Sequence, residues 1–137
     1  MQTTLTFVSA LSDEYGHSLP AILQKSFDKY RSLQIRSLML FSRGNIMQAL
    51  EGETDAVQSV FDYISRDCRH MHVQTLLRQR GHSRSGVESG FGYRRLDGQI
   101  LHKICPAIPV FTLTSLEIAN RVRDGKVQLL MQQFASN

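Results

Sequence analysis

Residues 45–52 read NIMQALEG, and this stretch sets a single glutamine, Gln48, within a short apolar run. The turn before it contains Gly44, which tolerates positive φ, so residues 34–41 and 45–50 form a predicted β-hairpin. Residues 51–54 are predicted to be a loop that ends in a helix cap. A buried amide needs hydrogen-bond partners, so Gln48 is predicted to be a polar side chain in the core with partners nearby.

Strands and helices are predicted on both sides of this hairpin. Alternation and β-branched residues indicate further strands, and apolar residues at 3–4 spacing indicate helices. The predicted strands are 3–9, 73–79 and 90–94, and the predicted helices are 19–31 and 55–66. The order β-α-β-β-α-β predicts an α+β, ferredoxin-like fold with two helices on one face of an antiparallel-rich sheet.

The other face of this sheet needs a cover, and the C-terminal residues are available for it. Helical patterns occur near 98–104 and over 115–134, the second broken at Asp124-Gly125. We therefore predict a sheet domain at residues 1–97 and a C-terminal helical cap at residues 98–137.

Composition indicates an ordinary globular chain. Of 137 residues, 42% are hydrophobic and 20% are charged, which excludes disordered, collagen-like and coiled-coil proteins. No apolar run approaches the roughly 20 residues that span a bilayer. Cys68 and Cys105 make neither a disulfide framework nor a zinc site. These features predict a cytoplasmic protein without a membrane contact.

Charge and side-chain spacing favour no chemistry strongly. The net charge is +4, from 16 Lys and Arg against 12 Asp and Glu, and the arginines are scattered along the chain. Nucleic-acid binding is therefore an alternative of low weight. The spacing of His70, His72 and His82 matches no established metal site. The sequence also offers no catalytic constellation, so we expect no enzyme and no metal.

Three motifs together resemble the BLUF family, the flavin-containing sensors of blue light. Residues 46–52 resemble the family's third-strand motif, in which Gln is followed by a hydrophobic pair and Glu-Gly. Residues 67–70, Asp-Cys-Arg-His, resemble its Asp-x-Arg-His at the end of the second helix. Residues 7–9, Phe-Val-Ser, stand where the family has Tyr-x-Ser. The resemblance covers residues 3–95 and implies a BLUF-type sheet and a signalling function.

At its pocket the chain departs from the family's pattern. The family's photochemistry links Tyr, Gln and flavin by hydrogen bonds; Gln48 matches the Gln, but Phe7 stands at the Tyr and has no hydroxyl. Tyr30 stands at the flavin-holding Asn, with Lys29 before it, and Tyr63 stands at a polar position of the second helix. We interpret these four residues as pocket-filling substitutions, in which the rings of Tyr30 and Tyr63 occupy the flavin cavity.

The resemblance and these departures predict a BLUF-like regulatory module that binds no flavin, has no photocycle and acts on an unidentified protein partner. Homo-oligomers are also expected. The alternative is an FAD-binding blue-light sensor with a remodelled pocket, to which Gln48, Asp67 and His70 contribute. Each of these residues also has a structural explanation. A backbone group or a tyrosine hydroxyl would satisfy Gln48, and capping and loop pairing would occupy Asp67 and His70.

Overall fold

The computed structural model describes residues 2–11, 26, 28–42, 45–67, 70–81, 90–93, 119–120 and 122–136. The strands are β1 (Gln2–Leu11), β2 (Arg36–Ser42), β3 (Asn45–Glu53), β4 (His70–Arg80) and β5 (Gly90–Tyr93). The helices are α1 (helical over 28–32), α2 (Thr54–Arg66) and α3 (Gly125–Ser136). The predicted helix near 98–104 and the predicted boundary at residues 97 and 98 lie outside the described residues.

The five strands form one sheet in the order β4-β1-β3-β2-β5. β1 pairs antiparallel with β3 and β4, and β2 pairs antiparallel with β3, while β5 runs parallel to β2. This arrangement confirms the predicted ferredoxin-like α+β fold. It places β3 at the centre of the sheet, with Phe7 of β1 directly opposite Gln48.

Each face of the sheet carries its own apolar cluster. On one face, α2 packs through Val57, Val60 and Ile64 together with Tyr30 of α1. On the other face, α3 packs through Val127 and Met131 against apolar side chains of β2 and β3, which are Leu38, Leu40, Met47 and Ala49. The predicted C-terminal cover of the second face is therefore present. Burial of these side chains is the main stabilising contribution to the three-layer arrangement.

A hydrogen-bonded turn ends α1 and fixes its position against β2. The backbone N–H of Ile35 donates to the carbonyl of Tyr30 at 2.8 Å, and that of Gln34 donates to Arg31 at 3.1 Å. Gln34 adopts a left-handed conformation, with φ of 56°. These bonds are those of a Schellman motif, a common helix ending that usually has Gly at the left-handed position.

The prediction of a loop at residues 51–54 is wrong, because β3 continues through Glu53. Glu51, Gly52 and Glu53 pair in register with β1. Gly52 leaves room there for Ile35, since a Cβ would lie 3.1 Å from Cγ1 of Ile35 and would require that side chain to shift. Thr54 does not cap α2 and instead lies 2.7 Å from Thr3, hydroxyl to hydroxyl. Polar residues fit this end of β3 because side chains of the neighbouring strands bond to them, as Arg36 does to Glu51 and Gln2 does to Glu53.

β4 lies at one edge of the sheet and carries two bulges. Thr6 pairs with Leu77 and Phe7 with Thr75, so Leu76 is an extra residue in β4. Between the pairs Val8–Gln74 and Ala10–Met71, a single residue of β1 lies opposite two residues of β4. One of those two is His72, which has a φ of 54°. Each bulge bends the strand and increases its local twist.

α3 begins where the sequence predicts a break at Asp124-Gly125. The Asp124 carboxylate accepts hydrogen bonds from the backbone N–H groups of Lys126 at 3.0 Å and Val127 at 3.1 Å. An acidic side chain in this position satisfies the unpaired N–H groups of the first turn. Within the described part of the chain, no helix has both the length and the apolar character to cross a membrane.

Candidate functional site

Gln48 lies at the centre of β3 and is fully buried. Its Nε2 donates to the hydroxyl of Tyr30 at 3.0 Å and to that of Ser37 at 2.9 Å. Its Oε1 is also buried, and among the described residues it has no hydrogen-bond partner. A buried carbonyl oxygen without a partner is unfavourable, so this atom is a candidate contact for a ligand.

Tyr30 reaches Gln48 from the last turns of α1, and its ring belongs to the core beneath α2. Burial raises the pKa of the Tyr30 hydroxyl above its ordinary value of 10.0, and hydrogen bonds with Gln48 and Ser26 oppose part of that rise. The phenol is therefore neutral at physiological pH. It is able to accept from Gln48 and to hydrogen-bond Ser26 at the same time.

Phe7 faces Gln48 from β1 and supplies only apolar contact. Its ring meets that of Phe61 edge to face, with 5.2 Å between the centroids and an angle of 72° between the planes. Because a phenyl ring has no hydrogen-bonding group, the described polar partners of Gln48 come from α1 and β2 and none comes from β1.

Lys29 and Tyr63 make a second contact between α1 and α2. The Lys29 Nζ lies 3.8 Å from the centroid of the Tyr63 ring, which is a cation–π geometry. Tyr63 is 45% exposed, whereas Tyr30 is buried. The structure therefore places Tyr30 in the core and Tyr63 at the surface, where Lys29 lies over its ring. Filling of a cavity by both rings does not match these positions.

Asp67 and His70 lie where α2 ends and β4 begins. Asp67 follows the last residue of α2, and its backbone N–H donates to the carbonyl of Ile64 at 3.1 Å. His70 is the first residue of β4, and its side chain lies outside the described part of the structure. Their roles toward a ligand stay predictions.

The two polar residues of the third-strand motif face opposite sides of the sheet. Alternation along β3 puts Gln48 under α1 and α2 and Glu51 on the other face. Glu51 is 1% exposed, forms an ion pair with Arg36 and accepts a hydrogen bond from Thr4 at 3.2 Å. The Gln and the Glu of the motif therefore lie on opposite faces of the sheet, and of these two only Gln48 lies on the α1–α2 side.

Sequence reasoning identified Gln48 and Tyr30 but missed Ser37 and Ser26 as members of the same network. Ser37 interrupts an apolar strand, and this is the signal that marks it as a partner for a buried amide. Ser26 precedes Tyr30 by one helical turn, a spacing that places the two side chains on one face. In the described residues, no group of three or more potential metal ligands occurs.

Solved structures of light sensors share this fold. A structure titled "BlrP1 BLUF" matches with a TM-score of 0.68 and 25% identity over 99% of this chain and 90% of that one. Klebsiella pneumoniae BlrP1 with FMN and cyclic diGMP matches with a TM-score of 0.70 and 26% identity, and this chain covers 35% of it. BlsA in its photo-activated state matches with a TM-score of 0.63 and 20% identity. The match covers 76% of this chain and 78% of BlsA, and at this identity it shows a shared fold alone.

The family comparison gives the same result over more than half of the chain. Residues 3–87 match the family model described as "BLUF: Sensors of blue-light using FAD", whereas no curated protein matches the chain. The expectation that this protein has no cofactor is wrong on this finding, since the matched family is defined by its use of FAD. With the strand order, the buried glutamine of β3 and the family match in agreement, this chain belongs to the BLUF family of blue-light sensors.

Proposed function

We propose that this chain binds FAD between α1 and α2 and passes a light-dependent signal to a protein partner. The observation that carries the proposal is Oε1 of Gln48, which is buried and has no partner among the described residues. The edge of a flavin ring carries both N–H donors and carbonyl acceptors. A ligand of that kind would satisfy the atom that the described residues leave without a partner.

The residues around Gln48 fit such a ligand in chemistry. Gln48 would hold the polar edge of the ring. Apolar side chains of the cluster that packs against α2, including Phe7, Leu5 and Ile64, would contact its faces. Asp67 and His70 would contribute from the end of α2. When bound, FAD supplies absorption of blue light and the capacity to accept an electron.

Phe7 changes the expected response to light. A phenyl group has no exchangeable proton, so residue 7 neither gives a proton to a bound flavin nor relays one through Gln48. We propose that the small red shift typical of the family on illumination is absent or altered in this protein.

The output of the module is proposed to be contact with another protein. Among the similar structures are BlrP1 with cyclic diGMP and a bacterial light-regulated adenylyl cyclase, and this chain covers 35% and 33% of those chains. We infer a sensory unit without catalytic activity of its own, which acts through a partner or through a second copy.

Absorption spectroscopy of the purified protein tests the proposal. We expect a yellow protein that releases FAD in about one-to-one amount on denaturation, with little or no red shift under blue light. Gln48→Leu should weaken FAD retention because it keeps the volume and removes the amide. A folded, colourless protein that also takes up no added FAD would overturn the proposal.

A further inference from the structure

We propose that Lys29 and Tyr63 form a latch between α1 and α2, which limits how often the two helices separate above Gln48. Separation of the helices at this point opens the route by which a ligand would reach Gln48 between them. The effect of the latch on flavin rests on the proposed function, whereas its effect on the two helices does not.

The latch lies outside a buried contact of the same two helices. Lys29 precedes Tyr30 in α1, and Tyr63 precedes Ile64 in α2. Tyr30 and Ile64 are each 4% exposed and belong to one apolar cluster. The Tyr30 hydroxyl in turn lies 3.0 Å from Nε2 of Gln48. A ligand that enters between α1 and α2 therefore meets the surface pair before it reaches the buried one.

The contact of the latch is that of a cation over an aromatic ring. The Lys29 ammonium lies 3.8 Å from the centroid of the Tyr63 ring, well within the roughly 6 Å over which a ring attracts a cation. No ion pair of the described residues involves Lys29, so loss of its charge removes the contact with the ring alone. Tyr63 is 45% exposed, and at exposed sites such a contact changes an equilibrium by about two- to fivefold.

The described end of α1 has few other contacts that would hold it. Over residues 28–33, Tyr30 is the one buried residue. By contrast, α2 buries Val57, Val60 and Ile64. A segment with little buried apolar surface opens locally at a lower free-energy cost than the rest of a domain. A contact of modest strength at this end therefore has a measurable share in keeping α1 closed.

Opening of α1 from α2 would control both entry and release of a flavin. A contact that closes over the bound and the free site alike slows both steps and has little effect on affinity. Loss of the latch should therefore raise the rates of uptake and release by a similar factor, with a smaller change in Kd.

Hydrogen exchange of the full chain, without added flavin, tests the latch. The reporters are the backbone N–H groups of Leu33 and Ile35, which donate to the Tyr30 carbonyl at 3.1 Å and 2.8 Å. Lys29→Met keeps the length of the side chain and removes its charge, so we expect these two groups to exchange about two- to fivefold faster. Lys29→Arg keeps a cation that stacks on aromatic rings and should exchange like the wild type.

Tyr63→Leu removes the other member of the latch and should accelerate the same two N–H groups. Because Lys29 and Tyr63 act through one contact, the double variant should exchange no faster than either single variant. Additive acceleration in the double variant would overturn the latch.

Arg31→Met is the matched control, since it removes an exposed cation of α1 that has no described contact with Tyr63. We expect it to exchange like the wild type. Unchanged exchange in both Lys29→Met and Tyr63→Leu, or equal acceleration in Arg31→Met, would overturn the latch. The amides of α3 should be unaffected, and their acceleration by the same factor would show a general loss of stability and also overturn it.

The rates of FAD uptake and release, followed by absorption in the same variants, separate the two proposals. A colourless wild type whose Leu33 and Ile35 amides respond to Lys29→Met would overturn FAD binding and support the latch. A yellow protein whose amides ignore Lys29→Met would do the reverse. Faster release without faster uptake would make Lys29 a direct contact of FAD and overturn its control of entry.

Discussion

Gln48 shows how one amide is held when the residue opposite it lacks a polar group. Phe7 is its direct partner in the β1–β3 ladder and gives packing only. The hydrogen bonds come from Tyr30 and Ser37, one on α1 and one on β2. At the scale of single residues, the polar centre of this core is therefore built across three elements.

The buried hydroxyl of Tyr30 should make stability depend on pH in the alkaline range. Its pKa is raised above the ordinary value of 10.0, mainly by burial. The unfolded chain therefore loses this proton at a pH where the folded chain keeps it. Stability that is fully present below pH 10 should fall as the pH rises from there toward the folded pKa.

Denaturant unfolding at about pH 8 and about pH 10.5 measures this loss. The free energy of unfolding should fall more for the wild type than for Tyr30→Phe over this window. Equal losses in both proteins would contradict the assignment of the alkaline effect to Tyr30.

The ion pair of Arg36 and Glu51 should respond unequally to removal of its two partners. Glu51 is 1% exposed and Arg36 is 55% exposed. Arg36→Ala leaves a buried carboxylate without its cation and should cost about 1–3 kcal/mol of unfolding free energy. Glu51→Gln leaves Arg36 in water and should cost less than about 1 kcal/mol. Equal or reversed costs in denaturant unfolding would contradict this account.

At the scale of elements, the sequence predicts what depends on local pattern. Alternation and turn residues located each strand of the hairpin, and α3 begins at the break that was predicted at Asp124-Gly125 within a longer helical stretch. The extension of β3 through Glu53 was missed, because polar residues such as Glu51 resemble a loop until their cross-strand partners are known. A tyrosine hydroxyl was among the predicted partners of Gln48, and Tyr30 is that partner, whereas Ser37 of β2, the second partner, was missed.

Gln34→Gly should stabilise the protein. Gln34 is held at φ of 56° in the turn that ends α1. A left-handed conformation costs a residue with a side chain about 1–2 kcal/mol, and the greater flexibility of unfolded Gly offsets part of the gain. We expect a net gain of roughly 0.5 kcal/mol in unfolding free energy. Gln34→Ala is the control and should give no such gain; a loss in Gln34→Gly would contradict the prediction.

Gly52→Ala should destabilise the junction of α1, β2 and β3. The added Cβ would lie 3.1 Å from Cγ1 of Ile35 and 3.5 Å from the carbonyl oxygen of Gln34. Overpacking of this kind costs about 1–3 kcal/mol. Gly125→Ala is the matched control, since nothing lies within 4 Å of its added Cβ. Melting temperatures of the two variants would decide, and equal values would contradict the steric account.

At the scale of the whole molecule, β3 connects the proposed flavin side to the C-terminal cap. Gln48 faces α1 and α2, while its neighbours Met47 and Ala49 pack in the cluster that contains α3. The surroundings of Gln48 and the helix α3 thus lie on opposite faces of the same strand. α3 therefore packs directly on the face of β3 that lies opposite Gln48.

Met131→Ala should loosen α3 without a comparable effect on α2. Met131 is fully buried between α3 and the sheet. Truncation of a buried Met costs about 2–5 kcal/mol in other proteins. Hydrogen exchange should show α3 amides exchanging faster while those of α2 are less affected. Equal acceleration in both helices would indicate that the cap does not open separately.

The bulges of β4 have a consequence for how copies of this protein meet. They interrupt the regular spacing of the outward N–H and carbonyl groups of this edge strand at two places, so a second chain could not form a continuous β-ladder with it. The opposite border, β5, offers only four residues. Growth by strand addition at these two described edges, the route toward amyloid, is thereby disfavoured.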